Sequence, residues 1–589
     1  MYISEVKLWN FRKYGSDSFD LDKPNLVIPF KKGMNVLVGE NDSGKTAIID
    51  AIKYVLKTNA YEVVRVEHED FYNESDRLRI EVLIEEMSDE EGRNFTEVIS
   101  PIADEDYCQL RLILDVRRDE GRILPYEVCA GSDESGHQIN AVMKYNIAAT
   151  YLKPLRDAEK ELTAKRNSRL SQILRNHELL KEYQGGEKHK FIEIIETANR
   201  EIGQWFEGGV EEKSPQRNQI KDVIDYFLKQ FVSKDTESEF YLLDPTMKSI
   251  LEKIAIGVVD QYNLGLGTLN RLFMSTELLH LRKSGDNLRV CLIEELEAHL
   301  HPQVQLKVIE GLLKEDKVQF IITTHSPNIT SQVKLGANGN TNNIIRCHSN
   351  QVFPMGKEYT KLDKRDYIFL DRFLDVTKSN LFFAKGVIIV EGWAEEILIP
   401  AIARKMGIDL IEHEISIVNV GSTAYLHFAR IFMRNNDSEM DIKCAVITDL
   451  DVKPDEENRD NKEEQKRNSI KNSLGEHSSN IKVFIAKEWT LEWCLFKSTT
   501  LKAFFMDATS KVHNRTHEFM KSEESVYNKE QFEEKFEEKL KDKSLDKVAI
   551  ANELAIAIDS STIKFDNNDS YINYIVDAIK FFSETDEVF

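Results

Sequence analysis

The chain has 589 residues, which is too long for a single hydrophobic core and predicts three or four domains. Its net charge of −23 excludes a generally basic nucleic-acid-binding surface, although a local basic groove stays allowed. No apolar stretch approaches the ~20 residues that a membrane span requires. The six scattered cysteines form no CxxC pair. We therefore expect a cytoplasmic protein that does not enter membranes.

A glycine-rich loop near the N-terminus matches a phosphate-binding pattern. Residues 39–46 read GENDSGKT, which fits G-x-x-x-x-G-K-T. An apolar run at 34–38 precedes the loop, and apolar residues at helical spacing follow it at 47–56. This strand–loop–helix context predicts binding of a nucleoside triphosphate, here taken as ATP.

The loop residues have distinct expected roles. Backbone N–H groups at the start of the helix would hold the phosphates, where the helix dipole favours negative charge. Lys45 would reach the β- and γ-phosphates, and the Thr46 hydroxyl would bind Mg²⁺. The residues predicted to bind the nucleotide here are Gly39, Asn41, Ser43, Gly44, Lys45 and Thr46.

The middle of the chain, residues 152–236, carries leucine and isoleucine at helical spacing, interrupted by two glycines at 185–186. We predict two long helices or helical pairs inserted into the ATPase domain. Their apolar surface exceeds what a thin insertion can bury by itself, so we expect a dimerising arm. The basic residues in the first part indicate either a DNA contact or a solvated helical face, and we favour the solvated face.

Two buried-type strands then end in polar residues. The strand at 289–293 ends at Glu294 and Glu295. We expect Glu294 to hold Mg²⁺ through water and Glu295 to polarise the attacking water. The next such strand ends at His325, which we expect near the γ-phosphate. The order phosphate loop, acidic strand and histidine indicates a nucleotide-hydrolysing site.

The C-terminal third has carboxylates at the ends of apolar strands. The strand at 386–390 ends at Glu391, and a glycine turn leads into a helix that carries Glu395. A second strand is followed by Asp449 and Asp451, which we expect on one face because side chains two apart in a strand point the same way. Carboxyl ends of parallel strands are where an open α/β sheet places its site.

These carboxylates predict a divalent metal site. A third apolar stretch leads to Glu492, and clustered hard oxygen ligands suit Mg²⁺ or Mn²⁺. Four or five like charges need cations to stay ionised together. Two metals about 3.5–4 Å apart would stabilise the attacking and leaving oxygens of a phosphodiester. The predicted metal ligands are Glu391, Glu395, Asp449, Asp451 and Glu492, with Thr46 at the nucleotide. Residues 453–480 are charged and poor in apolar residues, and we expect a mobile loop beside this site.

Several motifs together resemble known families. An Asn-Phe-Arg at 10–12 between two strands resembles the start of ABC-type ATPases used in DNA repair, and in those dimers a glycine such as Gly267 closes on the partner's γ-phosphate. The chain resembles the overcoming-lysogenization-defect (OLD) nuclease family, with one departure at Leu296, where the family has proline. The matching segments are 10–12, 39–46, 155–157, 265–267, 293–302 and 324–327. Glu391 to Glu395 followed by Asp449 and Asp451 resembles the Toprim fold, over about 382–496.

The resemblance implies an ABC-type ATPase domain with a helical dimerisation insertion, followed by a C-terminal Toprim α/β domain. OLD-type nucleases carry a lysine that assists cleavage, and it corresponds here to Lys547. The implied catalytic residues are Glu391, Glu395, Asp449, Asp451, Lys547 and Glu295. The expected boundaries are 1–151 and 237–380 for the ATPase, 152–236 for the insertion and 381–589 for the Toprim domain with helical additions.

We therefore predict an ATP-regulated, Mg²⁺- or Mn²⁺-dependent DNA endonuclease that works by two-metal phosphodiester hydrolysis in bacterial anti-phage defence. Its expected partners are DNA, a second copy of the chain and, by resemblance, a helicase or a reverse transcriptase with its nucleic acid. One alternative is a non-cutting repair or chromosome-organising ATPase. Another is a topoisomerase- or primase-like Toprim enzyme, although neither a tyrosine on a DNA-binding domain nor a template-binding module is recognisable.

Overall fold

The computed structural model places most of the chain. It describes residues 1–57, 65–101, 108–152, 162–175, 177–184, 187–207, 217–232, 235–240, 242, 244–261, 263–279, 288–335, 341–421, 424–435, 440–474, 479–513, 537–542, 545–565 and 568–583. The OLD-like segment 155–157 and the two glycines at 185–186 lie outside these ranges. Within them, no helix is long and apolar enough to cross a membrane.

The strands are numbered in chain order. They are β1 (Tyr2–Trp9), β2 (Leu26–Pro29), β3 (Met34–Val38), β4 (Arg77–Glu85), β5 (Ile99–Pro101), β6 (Cys108–Asp119), β7 (Arg122–Ile123), β8 (Val128–Ala130), β9 (His137–Gln138), β10 (Thr150–Leu152), β11 (Tyr183–Gln184), β12 (Glu187–Lys188), β13 (Val290–Ile293), β14 (Gln319–Thr323), β15 (Asn343–His348), β16 (Gln351–Pro354), β17 (Gly386–Val390), β18 (Ile415–Asn419), β19 (Lys443–Thr448) and β20 (Ile481–Ile485).

The helices are numbered in the same way. They are α1 (Lys45–Leu56), α2 (Asp89–Gly92), α3 (Ala141–Asn146), α4 (Arg169–Arg175), α5 (Lys190–Glu207), α6 (Arg217–Phe231), α7 (Met247–Leu251), α8 (Leu266–Glu277), α9 (Pro302–Leu313), α10 (Pro327–Gln332), α11 (Lys364–Phe373), α12 (Trp393–Lys405), α13 (Tyr425–Ala429), α14 (Arg459–Leu474), α15 (Leu491–Lys497), α16 (Lys502–Val512), α17 (Lys547–Ser560) and α18 (Asn573–Ser583). Short 3₁₀ turns are His68–Asp70, Arg93–Phe95, Glu178–Leu180, Lys378–Phe382 and Arg430–Phe432.

The ATPase part contains two sheets. An antiparallel sheet has the order β2-β1-β4-β6-β8-β9, and the pairing of β1 with β2 confirms the two antiparallel strands expected ahead of the phosphate loop. A second sheet has the order β10-β13-β14-β3-β15-β16 and is parallel except for β16. All residues of β3, β13 and β14 are buried, as expected for a parallel sheet covered on both faces.

This strand order assembles the nucleotide site. The strands β13, β14 and β3 are neighbours in the sheet and run parallel. Their carboxyl ends therefore lie at one edge, so Glu294, His325 and the loop at 39–44 come together although they are far apart in sequence. The helix α1 starts at Lys45, directly after the loop, which confirms the expected strand–loop–helix arrangement.

The C-terminal part is a Toprim-type α/β domain. Its four-stranded sheet has the order β18-β17-β19-β20, and all three pairings are parallel. The helices α12, α15, α16, α17 and α18 contribute to one hydrophobic core on one side of this sheet. Because β17 and β19 are neighbours, the carboxylates that follow them lie at the same edge of the sheet.

A continuous hydrophobic core joins the ATPase and Toprim parts. It contains Ile322 of β14, Leu381 of the 3₁₀ turn Lys378–Phe382 and Val387 of β17, all of which are fully buried. The buried Arg346 of β15 strengthens this junction, because its Nη1 donates to Leu381 O at 2.8 Å and its Nη2 donates to Ala384 O. The two catalytic parts are therefore packed together rather than joined only by a linker.

The described part of the helical insertion contains three helices and one short strand pair. The segment at 169–175 is a short helix, and a two-residue strand on each side of the glycines forms the β11–β12 pair. The longer helices α5 and α6 follow and contact each other. The β11–β12 pair was not expected, since we predicted only a break between helices in this part of the chain.

The prediction of a mobile loop at 453–480 is wrong for most of that segment. Residues 459–474 form the helix α14, which has a single buried residue, Ile470, in contact with the cluster of Leu450, Val452 and Ile485. Arg467 Nη2 donates to Ala486 O at 3.0 Å. These tertiary contacts stabilise a helix whose low apolar content argued against ordered structure.

Replacing Arg346 with alanine should destabilise the junction between the two parts. The change leaves two carbonyl acceptors buried without their donor and opens a cavity, which together should lower the free energy of unfolding by about 2–4 kcal/mol. Chemical denaturation monitored by tryptophan fluorescence measures this change. Arg365→Ala, at an exposed position of α11, is the matched control and should change stability by less than about 0.5 kcal/mol. Equal effects of the two variants would contradict the role of Arg346.

Candidate active sites

The backbone shape of the phosphate loop depends on two glycines. Gly39 has φ 144°, and a Cβ at this position would lie 2.4 Å from Cys347 O. Gly44 has φ 96°, and a Cβ there would lie 1.9 Å from the Tyr14 hydroxyl. Glycine is required at both positions, because a side chain would be strained and would collide with its neighbours.

Lys45 lies inside the loop that it is expected to serve. Its Nζ donates to Gly39 O at 3.0 Å, to Ser43 Oγ at 3.1 Å and to the carbonyl of Glu40. Burial lowers the pKa of Lys45. The Lys45 ammonium is the donor that nucleotide phosphates would bind. The expected metal ligand Thr46 is exposed in the first turn of α1, where its hydroxyl is accessible.

The two acids after β13 have different environments. Glu294 is 8% exposed, and its carboxylate accepts a hydrogen bond of 2.7 Å from the Tyr151 hydroxyl. Burial raises the pKa of Glu294. Glu295 is exposed, and its backbone N–H donates to Thr323 Oγ1 at 3.1 Å. A buried ligand and an exposed base fit the roles expected from sequence, and both roles stay predictions.

A third acid, Glu297, connects this loop to His325. Its carboxylate accepts from Thr324 Oγ1 and from the His325 backbone N–H, each at 2.6 Å. Partial burial and the charge of Lys45 lower the pKa of His325, so the histidine lies within electrostatic range of the phosphate loop. Sequence reasoning did not assign Glu297, although it stands two residues after the paired acids.

Gly267 lies in the first turn of α8, where we expected the loop ahead of the helix. The helix begins at Leu266, with Gly265 as its N-cap. A Cβ at Gly267 would lie 3.1 Å from His299 O, and Asn270 Nδ2 donates to Ala298 O at 3.2 Å. The start of α8 therefore packs on the loop that follows the acidic strand. The expected contact with a partner's nucleotide stays a prediction.

The second site starts at Glu391, directly after β17. The Thr448 hydroxyl, at the end of β19, donates to Glu391 Oε1. Burial raises the pKa of Glu391, and the charge of Asp451 raises it further. The charge of Lys466 on α14 acts to lower the pKa of Glu391. Sequence reasoning did not identify Thr448 or Lys466.

Glu395 and Asp449 lie within electrostatic range of Glu391. Burial raises the pKa of Glu395 to about 7, with smaller effects from Glu492 and Glu391. Burial also raises the pKa of Asp449 well above its usual value, and the charges of Glu395, Glu492 and Glu391 add to this. Glu395 folds back over the start of α12, where a Cβ at Gly392 would lie 3.1 Å from its Oε2.

Lys547 lies at the same site, although it is far away in sequence. Its Nζ donates to Glu492 Oε2 at 2.8 Å, and Glu492 is only 6% exposed. Burial acts to lower the pKa of Lys547, but the charges of Glu492, Asp449 and Glu395 raise it overall. Asp546 caps α17 by accepting from Ala549 N, and α17 packs against α12. The packing of these helices brings Lys547 to the carboxylates.

The prediction that Asp449 and Asp451 lie on one face of a strand is wrong. The strand β19 ends at Thr448, and Asp451 has a left-handed φ of 58°. Its backbone N–H donates to Trp489 O at 2.8 Å, and its side chain is exposed while Asp449 is half-buried. Asp451 therefore approaches the site from the following turn, and its effect on the pKa of Glu391 shows that it lies nearby.

The carboxylates supply the hard oxygen donors that a divalent cation requires. As they stand, no three histidine, cysteine, aspartate or glutamate side chains converge closely enough to hold a metal, considering only the residues that the structure describes. Glu492 is bound by Lys547, and Glu391 by Thr448. The donor chemistry of the carboxylates fits Mg²⁺ or Mn²⁺.

Family models match both parts of the chain. A model described as AAA ATPase domain matches residues 1–254 and 134–330, which together cover more than half of the chain. A model described as overcoming lysogenization defect protein-like, TOPRIM domain, matches residues 382–451. The second match contains Glu391, Glu395, Asp449 and Asp451, and it ends ahead of α14 and Lys547.

Two relatives align over most of the chain. Endonuclease GajA of Bacillus cereus (strain HuB5-5) is 20% identical over 564 residues, with 78% of each chain covered. The Old nuclease of Escherichia phage P2 is 23% identical over 483 residues, covering 76% of this chain and 77% of the relative. A solved structure of the C-terminal region of the Burkholderia pseudomallei OLD protein is 22% identical, with a TM-score of 0.24, and covers 34% of this chain and 98% of its own.

Replacing Glu297 with glutamine should lower the kcat of ATP hydrolysis about tenfold, with a smaller change in KM. The variant loses a charged acceptor that holds Thr324 and the His325 backbone, and a tenfold rate loss corresponds to about 1.4 kcal/mol. Steady-state phosphate release measures the change. Glu310→Gln, at an exposed ion pair with Lys314 on α9, is the control and should keep wild-type kinetics. A wild-type kcat in Glu297→Gln would refute the positioning role.

The metal-free protein should lose stability as the pH rises towards 7. Folding raises the pKa of Glu395 from 4.5 to about 7, so the folded state binds this proton more tightly than the unfolded state. The contribution is present below pH 4.5, falls by about 3 kcal/mol as the pH rises to 7, and then stays constant. Denaturant unfolding in EDTA at several pH values measures it.

The pH experiment has a matched pair of variants. Glu395→Gln removes one titrating group and should make this part of the profile less steep, whereas Glu412→Gln, at an exposed position, should retain the wild-type slope. A slope that is the same in Glu395→Gln and the wild type would show that other groups cause it.

Proposed function

Because the chain belongs to the AAA ATPase domain family and joins this domain to an OLD-like Toprim domain, we propose that it is an ATP-regulated, metal-dependent DNA endonuclease. It is an ATPase-linked nuclease, as its named relatives also indicate. The proposal adds the substrate DNA, the dependence on a divalent cation and the control by ATP. It also adds the domain boundaries at 151, 236 and 380 and a cytoplasmic location.

One observation carries the nuclease proposal. The carboxylates of Glu391, Glu395 and Asp449 lie within electrostatic range of one another beside the carboxyl ends of two adjacent parallel strands, and burial raises the pKa of each. Grouped carboxylates with raised pKa values are unfavourable in a purely structural role, because each charge opposes ionisation of the others. Such a cluster is explained by binding cations at a reaction site.

The chain's own residues supply further parts of the reaction. Lys547 keeps its proton at neutral pH, since the surrounding carboxylates raise its pKa, and its side chain is 46% exposed. It can therefore donate to a phosphate oxygen as negative charge develops there. Glu395, with a pKa of about 7, can take up or release a proton near neutral pH. Thr448 orients Glu391 by donating to its Oε1.

Glu391, Asp449 and Asp451 are the residues that we propose as metal ligands, with Glu395 and Glu492 beside them. Divalent cations bound there would neutralise the carboxylates and stabilise charge on the attacking and leaving oxygens of a phosphodiester. The chemistry of the donors does not distinguish Mg²⁺ from Mn²⁺, since both accept carboxylate oxygens.

For the ATPase site, we propose that Lys45 and the loop N–H groups hold the phosphates, with Glu294 and Thr46 at Mg²⁺. Lys45 Nζ already donates to two carbonyls of the loop. A bound phosphate would replace these carbonyls as the acceptor. Glu295 is exposed where water can approach it, which supports its role as the base. His325 and Gly267 complete this proposed set.

We propose that the protein forms a homodimer through the insertion. The helices α5 and α6 expose more apolar side chains than a solvated surface ordinarily carries. They include Phe191, Ile194, Ile202, Trp205, Ile220, Val223, Ile224, Phe227 and Phe231. A second copy would cover this surface. The resemblance to the OLD family supports a role in anti-phage defence, with a helicase or a reverse transcriptase as the expected partner.

The decisive test incubates the purified protein with supercoiled plasmid and Mg²⁺ or Mn²⁺, with and without ATP. We expect metal-dependent nicking or linearisation that Glu391→Ala lowers by at least about a hundredfold, because it removes a central carboxylate. Glu412→Ala, exposed on the same domain, should cut like the wild type. Lys45→Ala should remove the influence of ATP on cutting.

The assay also separates the alternatives. Intact ATP hydrolysis without cutting under any metal or nucleotide condition would contradict the nuclease proposal and favour a non-cutting repair ATPase. Religated plasmid with altered linking number, in place of nicks, would indicate a topoisomerase-like reaction.

A further inference from the structure

The phosphate loop contacts the Toprim domain directly through one side chain, Glu40. Its Oε2 lies 3.9 Å from Lys385 Nζ, and its Oε1 lies 3.6 Å from His348 Nδ1. The other ring nitrogen of His348, Nε2, lies 2.9 Å from Asp441 O. A residue of the nucleotide loop is therefore linked to two separate points of the second domain.

Lys385 and Asp441 each lie just ahead of a strand that ends beside carboxylates of the proposed nuclease site. Lys385 directly precedes β17, which ends next to Glu391. Asp441 lies two residues ahead of β19, which ends next to Asp449. Glu40 thus contacts Lys385 at the amino end of β17 directly, and His348 connects it to Asp441 ahead of β19. A small shift at this end is transmitted along a strand, because the backbone of a paired strand is stiff.

The other end of the link responds to phosphate. The Lys45 ammonium donates to the backbone carbonyls of Gly39 and Glu40. Phosphate oxygens would compete for these donors and release the carbonyls. Gly39 is also packed against Cys347 O of β15, the strand that carries His348. The position of Glu40 therefore depends on what Lys45 binds.

The contacts around Glu40 leave one of its carboxylate oxygens without a hydrogen bond. Glu40 Oε1 is buried and accepts no hydrogen bond from the side chains and backbone that the structure describes. The His348 Nδ1 is too distant, at 3.6 Å, to form one. A movement of less than about 1 Å would bring His348 Nδ1 within hydrogen-bond distance of this buried acceptor.

We propose that Glu40 is a positioning residue of the nuclease, which couples phosphate binding in the loop to the strands β17 and β19. The coupling has two branches that can be tested separately. One runs from Glu40 through Lys385 to β17, and the other runs from Glu40 through His348 to β19. The effect of this coupling on DNA cutting rests on the proposed function. The coupling itself is measurable without DNA.

Hydrogen–deuterium exchange of the full chain tests the two branches. The probe is a saturating non-hydrolysable ATP analogue with Mg²⁺, and the segments are 385–391 and 441–449. In the wild type we expect the analogue to change exchange at both segments by at least about threefold. Glu40→Gln should lose both responses, Lys385→Gln only that at 385–391, and His348→Gln only that at 441–449.

The matched control is Glu414→Gln. Glu414 is the other partner of Lys385, at 3.1 Å, and does not contact the phosphate loop in the described structure. This variant should keep both responses. A fluorescent nucleotide titration of each variant verifies saturation, so that a lost response is not lost binding.

Either of two exchange results would overturn the coupling: a wild type without any response at either segment, or Glu40→Gln that responds like the wild type. Plasmid cutting distinguishes this failure from failure of the proposed function. A protein that shows the branched exchange pattern and cuts no DNA keeps the coupling and loses the nuclease proposal. Cutting that ATP changes equally in the wild type and Glu40→Gln overturns the coupling and keeps the nuclease.

Discussion

The structure depends on one electrostatic constraint, which is the burial of like charges at the edge of the Toprim sheet. Glu391, Glu395 and Asp449 are held within range of one another by two parallel strands and by α12, and burial raises the pKa of each. The folded chain tolerates this arrangement because protons, Lys547 and Thr448 reduce the repulsion. Cations would do so more completely, which links stability to the proposed chemistry.

The same geometric rule builds both sites. In each domain, a parallel sheet collects polar residues at the carboxyl ends of adjacent buried strands. The two sheets then share a hydrophobic core that includes Ile322 and Val387. Because this core is continuous and Arg346 spans its edge, a change at one sheet does not stay isolated from the other. The arrangement makes control of cutting by ATP physically reasonable.

Local patterns recovered much of the fold, and their failures have identifiable causes. The apolar strands and the loop at 39–46 were predictable, since their spacing reflects burial on both faces. The helix α14 was missed because its single buried residue, Ile470, gives no periodic signal. Asp451 was misplaced because the end of β19 depends on a backbone bond to Trp489, which lies on a distant turn.

The sequence by itself determined the strands of both sheets and the polar residues that follow them, and it predicts which of these residues bind phosphate or metal, because both follow from residue type and short spacing. Only the tertiary structure decided how they work together. The contact of Lys547 with Glu492, the bridge from Glu297 to His325 and the contacts of Glu40 join residues far apart in the chain. Such contacts result from packing of whole sheets and helices, and no local pattern encodes them.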